Sequence, residues 1–205
     1  SVLFGYMVII NIGIMIIAFK KYWKPLYYAA FSFSWLIYLF WIIASYEKEK
    51  QFALALIVAS VFFAIFYATF LAYKLIRSEK FRASDVIMLL LNSFIFYGFG
   101  CGLLSQNDTG AQLLGVFTLC NALVHFAVSV VIFKKKLVDR NLFYLISGLV
   151  LTFITIAVPV QLDGNWVTLL WMLEALLLFW IGRTKNVPVY EHLSYPLMLL
   201  GFFSL

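Results

Sequence analysis

Seven long apolar runs, separated by short polar stretches, constrain this chain more than any other feature of its sequence. The runs are 2–19, 26–43, 52–73, 86–104, 113–133, 142–160 and 166–181, and an eighth begins at residue 195. Each full run approaches the roughly 20 residues that an α-helix needs to cross a bilayer. None of them alternates apolar and polar residues as the strands of a membrane barrel do. The pattern therefore predicts an all-α, polytopic helical membrane bundle with seven complete transmembrane helices and the start of an eighth.

The composition excludes soluble and disulfide-framework folds. Of the 205 residues, 65% are hydrophobic and only 12% are charged, and the mean hydropathy is +1.01. An ordinary soluble domain carries roughly 25% charged residues. No connection is long enough to hold a soluble domain, so we interpret 1–205 as a single transmembrane helical domain. Because the chain starts and stops in apolar sequence, we expect a fragment of a longer protein, truncated at both ends.

The positive charges alternate between successive connections. Of the 15 Lys and Arg residues, 13 lie in odd-numbered connections and two in even-numbered ones. Cytoplasmic loops carry an excess of Lys and Arg, so connections 20–25, 74–85, 134–141 and 182–194 are predicted to be cytoplasmic. The net charge of +6 is divided among these loops instead of forming one basic face, which argues against a nucleic-acid partner. The predicted partners are the lipid bilayer and other membrane subunits or the remainder of its own chain.

One acidic residue, Glu174, lies deep within a predicted span. An ionised carboxylate there costs several kcal/mol unless it is paired or hydrated, and Trp171 is the nearest polar group on its own helix. The fifth run carries Asn121, His125 and Ser129 at a spacing of four, which places them on one helical face. The depths of Glu174 and Asn121 match, so the sequence predicts a contact of Glu174 with His125 or Asn121. Such a site is either a proton relay or ion site, or a set of structural interhelical hydrogen bonds, and for Glu174 both interpretations stay open.

A second candidate site lies at the predicted outer hairpin between the sixth and seventh runs. Pro159 has no N–H, so the Thr155 carbonyl loses its helical hydrogen bond. Asp163 begins an Asp-Gly turn, and Asn165 suits the N-cap of the next helix. A plain hairpin is the favoured interpretation, and a small outward-facing site built from Asp163, Asn165 and Thr155 is the alternative.

No catalytic or metal-binding motif occurs in the sequence. His, Cys and carboxylate residues show no metal-ligand spacing, and no nucleophile or phosphate-binding motif is present. We therefore predict no metal, no cofactor and no enzymatic activity, and we interpret Cys101 and Cys120 as small apolar side chains. Gly98 and Gly102, four residues apart, predict a close approach of two helices.

Two stretches of the sequence carry a family resemblance. One contains Phe4-Gly5-Tyr6, Asn11 and the segment from Lys21 to Leu26. The other runs from Val158 to Trp166 and continues through Trp171, Glu174, Trp180 and Gly182-Arg183. Together they resemble the large bacterial multi-pass membrane proteins of the domain of unknown function 2339 family, in which a tryptophan and an acidic residue recur after a Pro-turn-Trp hairpin. The resemblance implies a bacterial inner (cytoplasmic) membrane location and a longer parent chain, and it implies no activity.

Three functional classes follow from these observations. We favour a multi-pass inner-membrane protein of unassigned activity with a transport-like polar centre, suited to proton- or ion-linked transport. The second class is a structural or assembly scaffold of the cell envelope. The third is a membrane-embedded enzyme acting on lipid-linked substrates, which needs a clustered acid, base or metal site that the sequence does not display.

Overall fold

The computed structural model describes residues 2–20, 23–77, 83–106, 108–134, 140–162 and 165–204. All regular structure in these ranges is helical. The helices are α1 (Val2–Lys20), α2 (Lys24–Ser45), α3 (Lys48–Arg77), α4 (Ala83–Leu104), α5 (Asp108–Gln112), α6 (Leu114–Lys134), α7 (Arg140–Gln161), α8 (Asn165–Thr184) and α9 (Pro188–Phe203). Each predicted apolar run therefore coincides with a helix, and the all-α prediction is confirmed for the described residues.

Within the part of the chain that the structure describes, five stretches of helix are long and apolar enough to cross a membrane. They are Lys24–Ser45, Lys48–Leu71, Ile87–Leu104, Leu114–Val131 and Asn165–Thr184. Two further apolar stretches, Val2–Ile17 and Ile146–Gln161, are shorter within the described residues. The chain is thus a helical membrane protein with several spans, and the total of seven complete spans stays a prediction.

The end of the chain differs from the sequence prediction, because the last helix begins at Pro188 and not at Tyr195. The connection predicted over 182–194 is only three residues long in the structure, 185–187. Asn186 adopts a positive φ of 52° there, and the Val187 N–H bonds to the Gly182 carbonyl at 3.0 Å. An Asn in the left-handed region followed by Pro is a common way to end one helix and start another.

The predicted start of the last helix was wrong because polar residues can also lie within a helix. Glu191 lies in the first turns of α9, where its carboxylate pairs with Arg183 on α8 at 3.3 Å. His192, which falls within the predicted connection 182–194, is exposed but helical. The short helix α5 occupies part of the connection between the fourth and fifth predicted runs.

The described chain divides into two compact units, and the first comprises residues 1–111 and 128–146. Its core is aromatic and draws on α1 to α4, and part of it lies between α2 and α3. Tyr27 meets Phe70 edge to face at a centroid distance of 4.4 Å, and Phe31 meets Phe66 at 5.3 Å. Edge-to-face packing of this kind stabilises aromatic cores beyond the burial of area.

Buried polar groups connect α2 to α4 inside this unit. The Trp35 indole N–H donates to Asn92 Oδ1 at 3.3 Å, and the Asn92 amide donates to the Phe63 carbonyl at 3.1 Å. Lys24, at the start of α2, pairs with Asp85, at the start of α4, at 3.4 Å. The first turn of α2 contacts the first turn of α4, and the middle of α2 contacts the middle of α4. The two helices therefore run parallel, and α3, which connects them in the chain, runs in the opposite direction.

The second unit comprises residues 112–127 and 147–205. In it, α6 and α7 run antiparallel. The Gly115 N–H at the start of α6 donates to the Gln161 side chain at the end of α7, at 2.9 Å. Further along, the ring of His125 stacks on Phe153 with a centroid distance of 5.3 Å.

The helices α8 and α9 of the second unit also run antiparallel and pack closely. At one end, a Cβ placed on Gly182 would lie 2.7 Å from the Glu191 backbone nitrogen. At the other end, the Thr168 hydroxyl donates to the Ser204 carbonyl at 3.0 Å. By contrast, a Cβ on Gly98 or Gly102 would meet nothing within 4 Å. The close helix approach predicted at Gly98 and Gly102, which belong to the first unit, is therefore not found among the described residues. In the second unit, a close approach of two helices does occur at Gly182.

Candidate intramembrane polar site

A polar site lies between α7 and α8, and it begins with a proline. Pro159 lies inside α7 and cannot donate a hydrogen bond to the Thr155 carbonyl, four residues earlier. The Trp171 indole N–H on α8 donates to that carbonyl at 3.0 Å. A side chain of the neighbouring helix thus replaces the bond that the proline removed, as transmembrane helices require of a freed backbone group.

The side chain of Thr155 is engaged as well. Its Oγ1 lies 2.9 Å from the Leu151 carbonyl oxygen and 2.8 Å from Glu174 Oε1. Glu174 is the tenth of the 20 residues of α8, so it lies at the middle of that span. Thr155 is therefore held by α8 through both its carbonyl and its hydroxyl.

The surroundings of this site are apolar. Leu151 and Trp171 pack against a cluster of Ala175, Leu178 and Leu197, while Glu174 and Thr155 are both half-buried. Little water reaches such a location in a bilayer, and electrostatic interactions are strengthened accordingly. The small cluster also ties α9 to the part of α8 that carries the acid.

His125 and Asn121, proposed above as partners of Glu174, occupy other contacts in the second unit. His125 is fully buried and stacks on Phe153. The Asn121 side-chain nitrogen donates to the Phe117 carbonyl at 2.9 Å on its own helix. Ser129, the last member of the predicted stripe, is buried and belongs to the range of the first unit. The hydrogen bond between described residues that engages Glu174 goes to Thr155, which the sequence had assigned to the hairpin site.

The hairpin candidates are not brought together by the described residues. Asp163 lies outside them. Asn165 is the first residue of α8, is exposed, and lines an open apolar groove with Thr168, Met172 and Met198. Thr155 belongs to the site with Glu174 and Trp171.

Two polar contacts were not predicted from the sequence. The Leu151 carbonyl has no signature in sequence, although a Thr four residues later is able to bond back to it. The Lys24–Asp85 pair was missed because both residues lie at predicted span ends, where charges are ordinary. Yet Asp85 is only 1% exposed, which makes it a buried acid. An acid next to the start of an apolar run was the available signal.

The donor set of the site limits its chemistry. Among the residues that the structure describes, no group of three or more His, Cys, Asp or Glu side chains is placed to hold a metal ion. What the α7–α8 site offers is one carboxyl group, one hydroxyl and one indole N–H. A carboxyl group and a hydroxyl are able to exchange a proton, whereas the indole N–H only donates a hydrogen bond, and all three can also hold a helix pair together.

These features define a helical membrane protein with an acidic residue at the middle of one span. The family comparison agrees with this class and extends over nearly the whole chain. The model of the family described as predicted membrane protein (DUF2339) matches residues 1–204, so the chain belongs to that family. The resemblance carried by the two end stretches is thereby confirmed. Comparison with the curated proteins and with the solved structures gave no match.

Proposed function

We propose that this protein is a multi-pass inner-membrane protein that carries out proton- or ion-linked transport, with Glu174 as the group that carries the charge. The observation that supports this most is the position of Glu174, at the middle of α8 and hydrogen-bonded to Thr155 at 2.8 Å. An ionisable side chain within a span is costly and marks a transport pathway or proton relay by default. A purely structural hydrogen bond to Thr155 would need only a neutral amide.

The backbone hydrogen bond that α7 lacks close to the acid supports the same proposal. Transporters commonly place their sites where a helix is broken and its carbonyl groups are free of the helical ladder. In α7, which continues as a helix through Pro159 to Gln161, the proline frees only the Thr155 carbonyl, and Trp171 holds that oxygen. Because a side-chain bond is easier to exchange than a backbone bond of the helix, the contact between α7 and α8 can open and close.

The orientation that we propose has the connections 20–25, 74–85, 134–141 and the α8–α9 turn in the cytoplasm of a bacterial cell. The alternation of Lys and Arg supports it. The parallel course of α2 and α4, tied at their starts by Lys24 and Asp85, is what this threading requires.

Flux measurements on reconstituted protein test the proposal. The full chain, placed in liposomes that contain a pH-sensitive dye, is expected to dissipate an imposed pH gradient when potassium and valinomycin compensate the charge. Glu174→Gln should abolish this flux, because it keeps the shape and hydrogen bonding of the side chain but cannot carry a proton. Glu191→Gln is the matched control, since Glu191 is the other acid among the described residues of the second unit and lies near the α8–α9 turn. Equal fluxes in Glu174→Gln and the unaltered chain would contradict the proposal.

The two alternatives are distinguished in the same preparations. A scaffold would show no flux, and Glu174→Gln would release a membrane subunit that co-purifies with the unaltered chain. An enzyme would convert a lipid-linked substrate in membrane extracts. Either result would replace the transport proposal.

A further inference from the structure

We infer that the species bound at Glu174 is a proton, and that the Thr155 hydroxyl is the positioning group that changes its hydrogen-bond partner when the proton is bound or released. This inference rests on the proposed transport function and names the substrate of its site. It follows from the number of protons available to three oxygen atoms: Leu151 O, Thr155 Oγ1 and Glu174 Oε1.

A threonine hydroxyl has one proton to donate. Thr155 Oγ1, however, lies within hydrogen-bond distance of two oxygens, at 2.9 Å from Leu151 O and 2.8 Å from Glu174 Oε1. If Glu174 is ionised, both neighbours are acceptors, and one of the two short contacts lacks a proton. If Glu174 is protonated, its O–H donates to Thr155 Oγ1 while the Thr155 hydroxyl donates to Leu151. The observed geometry therefore satisfies both contacts when Glu174 carries a proton.

Release of the proton has a defined local consequence. The carboxylate that remains needs a donor, and the Thr155 hydroxyl supplies one by turning from the Leu151 carbonyl toward Glu174 Oε1. Leu151 keeps the helical bond from the Thr155 backbone N–H, so the change costs it only the second bond. In each cycle, Glu174 takes one proton from water on one side of the membrane and releases it to water on the other side.

The donors around the acid favour a proton over a metal cation. A cation site would use the Thr155 carbonyl, which is the backbone oxygen freed by Pro159. That oxygen already accepts the Trp171 indole N–H at 3.0 Å. An N–H group presents positive charge, so a cation would have to displace the indole before it could use the carbonyl.

Among the described residues of the second unit, the other titratable groups lie on different turns, and Lys185 is in the α8–α9 turn. In this unit, α7 (147–161) has none, and α8 has Arg183 near its end in addition to Glu174. On α6 they are Cys120 and His125, the latter stacked on Phe153. On α9 they are Tyr190, Glu191, His192 and Tyr195, all in the half that begins at the α8–α9 turn.

Infrared difference spectroscopy of the full chain in nanodiscs tests the inference. A pH titration should show the carbonyl stretch of a protonated carboxylic acid, and Glu174→Gln should remove that band. Thr155→Val, which deletes the hydroxyl at nearly constant shape, should move the band to higher frequency, because an acid with fewer hydrogen bonds absorbs there. Thr155→Ser should return the band toward its original position.

Thr152→Val provides the matched control. Thr152 makes the same back-bond on α7, to the Gly148 carbonyl at 2.9 Å, but no hydrogen bond of Thr152 to a carboxyl group occurs among the described residues. The acid band should therefore be unchanged in this variant. Equal shifts in Thr152→Val and Thr155→Val, or a band that survives Glu174→Gln, would overturn the inference.

The outcomes separate this inference from the proposed function. An acid band that depends on Glu174 and Thr155, without any flux in liposomes, would retain the proton site and refute transport. Flux that depends on Glu174 and on sodium, without an acid band, would retain transport and refute the proton as the bound species. Flux that follows the pH gradient, together with the band, supports both.

Discussion

The indole N–H of Trp171 donates a hydrogen bond to the carbonyl of Thr155 at 3.0 Å, in place of the backbone bond that Pro159 removes. The two residues lie on neighbouring helices, so a side chain of α8 replaces the backbone hydrogen bond that α7 lacks. In an apolar environment a carbonyl without a donor is destabilising, and the proline would be costly without the tryptophan.

Trp171→Phe is therefore expected to lower the free energy of unfolding by about 1–3 kcal/mol, the usual cost of leaving a buried polar group unsatisfied. Unfolding in mixed micelles with increasing SDS, followed by circular dichroism, measures it. Trp166→Phe is the control, because Trp166 is 64% exposed at the start of the same helix.

The double variant Pro159→Ala, Trp171→Phe makes the test specific. Alanine restores an N–H at position 159, so Trp171→Phe should cost much less in that background. Contacting residues typically show coupling energies of 0.5–3 kcal/mol, about the range expected here. Additive effects of the two substitutions would show that the indole does not compensate for the proline.

Two glycines should respond in opposite ways to alanine. Gly182→Ala is expected to lower the free energy of unfolding by about 1–3 kcal/mol, as overpacking does, because the new Cβ would lie 2.7 Å from the Glu191 backbone nitrogen. Gly98→Ala should be neutral or stabilise by up to about 1 kcal/mol, since alanine favours the helix and the site is open. The SDS titration measures both, and a larger loss at Gly98 than at Gly182 would contradict the packing of α8 on α9.

The ion pair between Lys24 and Asp85 should matter more than an exposed one. Asp85 is 1% exposed, so Lys24→Met is expected to destabilise the protein by about 2 kcal/mol, within the range for hydrogen bonds to charged groups. Lys50→Met is the control. Lys50 pairs with Glu47 at 2.7 Å, but both side chains are more than half exposed, and such pairs contribute about 0–1 kcal/mol.

Removing the charge of Asp85 as well should restore part of that stability. In Lys24→Met, Asp85→Asn the buried carboxylate is gone, and a neutral amide is less costly to bury than an unpaired charge. A double variant less stable than Lys24→Met alone would show that Asp85 depends on its other contacts more than on Lys24.

The positions of the helices were predictable from sequence because the bilayer imposes a length on every span. Apolar runs of that length have few alternatives to a helix, and polar residues separate them clearly. The start of α9 at Pro188 was not predicted, because the prediction followed the apolar runs alone. Glu191 and His192 interrupt the apolar pattern, but they remain helical at an end where charged groups are tolerated.

The site was predictable only in its parts. Glu174, Trp171 and the free carbonyl of Thr155 were each identified from residue type and spacing. The contact among these groups was not predicted. The depth of a residue in the bilayer gives its position along its helix, but it does not give the neighbouring helix that the residue faces. His125 and Asn121 lie at suitable depths, yet the carboxyl group bonds to Thr155.

Accessibility of single cysteines on either side of α4 tests the proposed threading. In a background without Cys101 and Cys120, Ser78→Cys should react with a membrane-impermeant maleimide only after the inner membrane is permeabilised. Asp108→Cys should react in intact spheroplasts, because α4 separates these two positions and Lys and Arg predict the cytoplasmic side for the first. Lys185→Cys, in the α8–α9 turn, should behave like Ser78→Cys. Labelling of residues 78 and 108 from the same side would show that α4 does not cross the membrane, and the assignment of Glu174 to its interior would lose its basis.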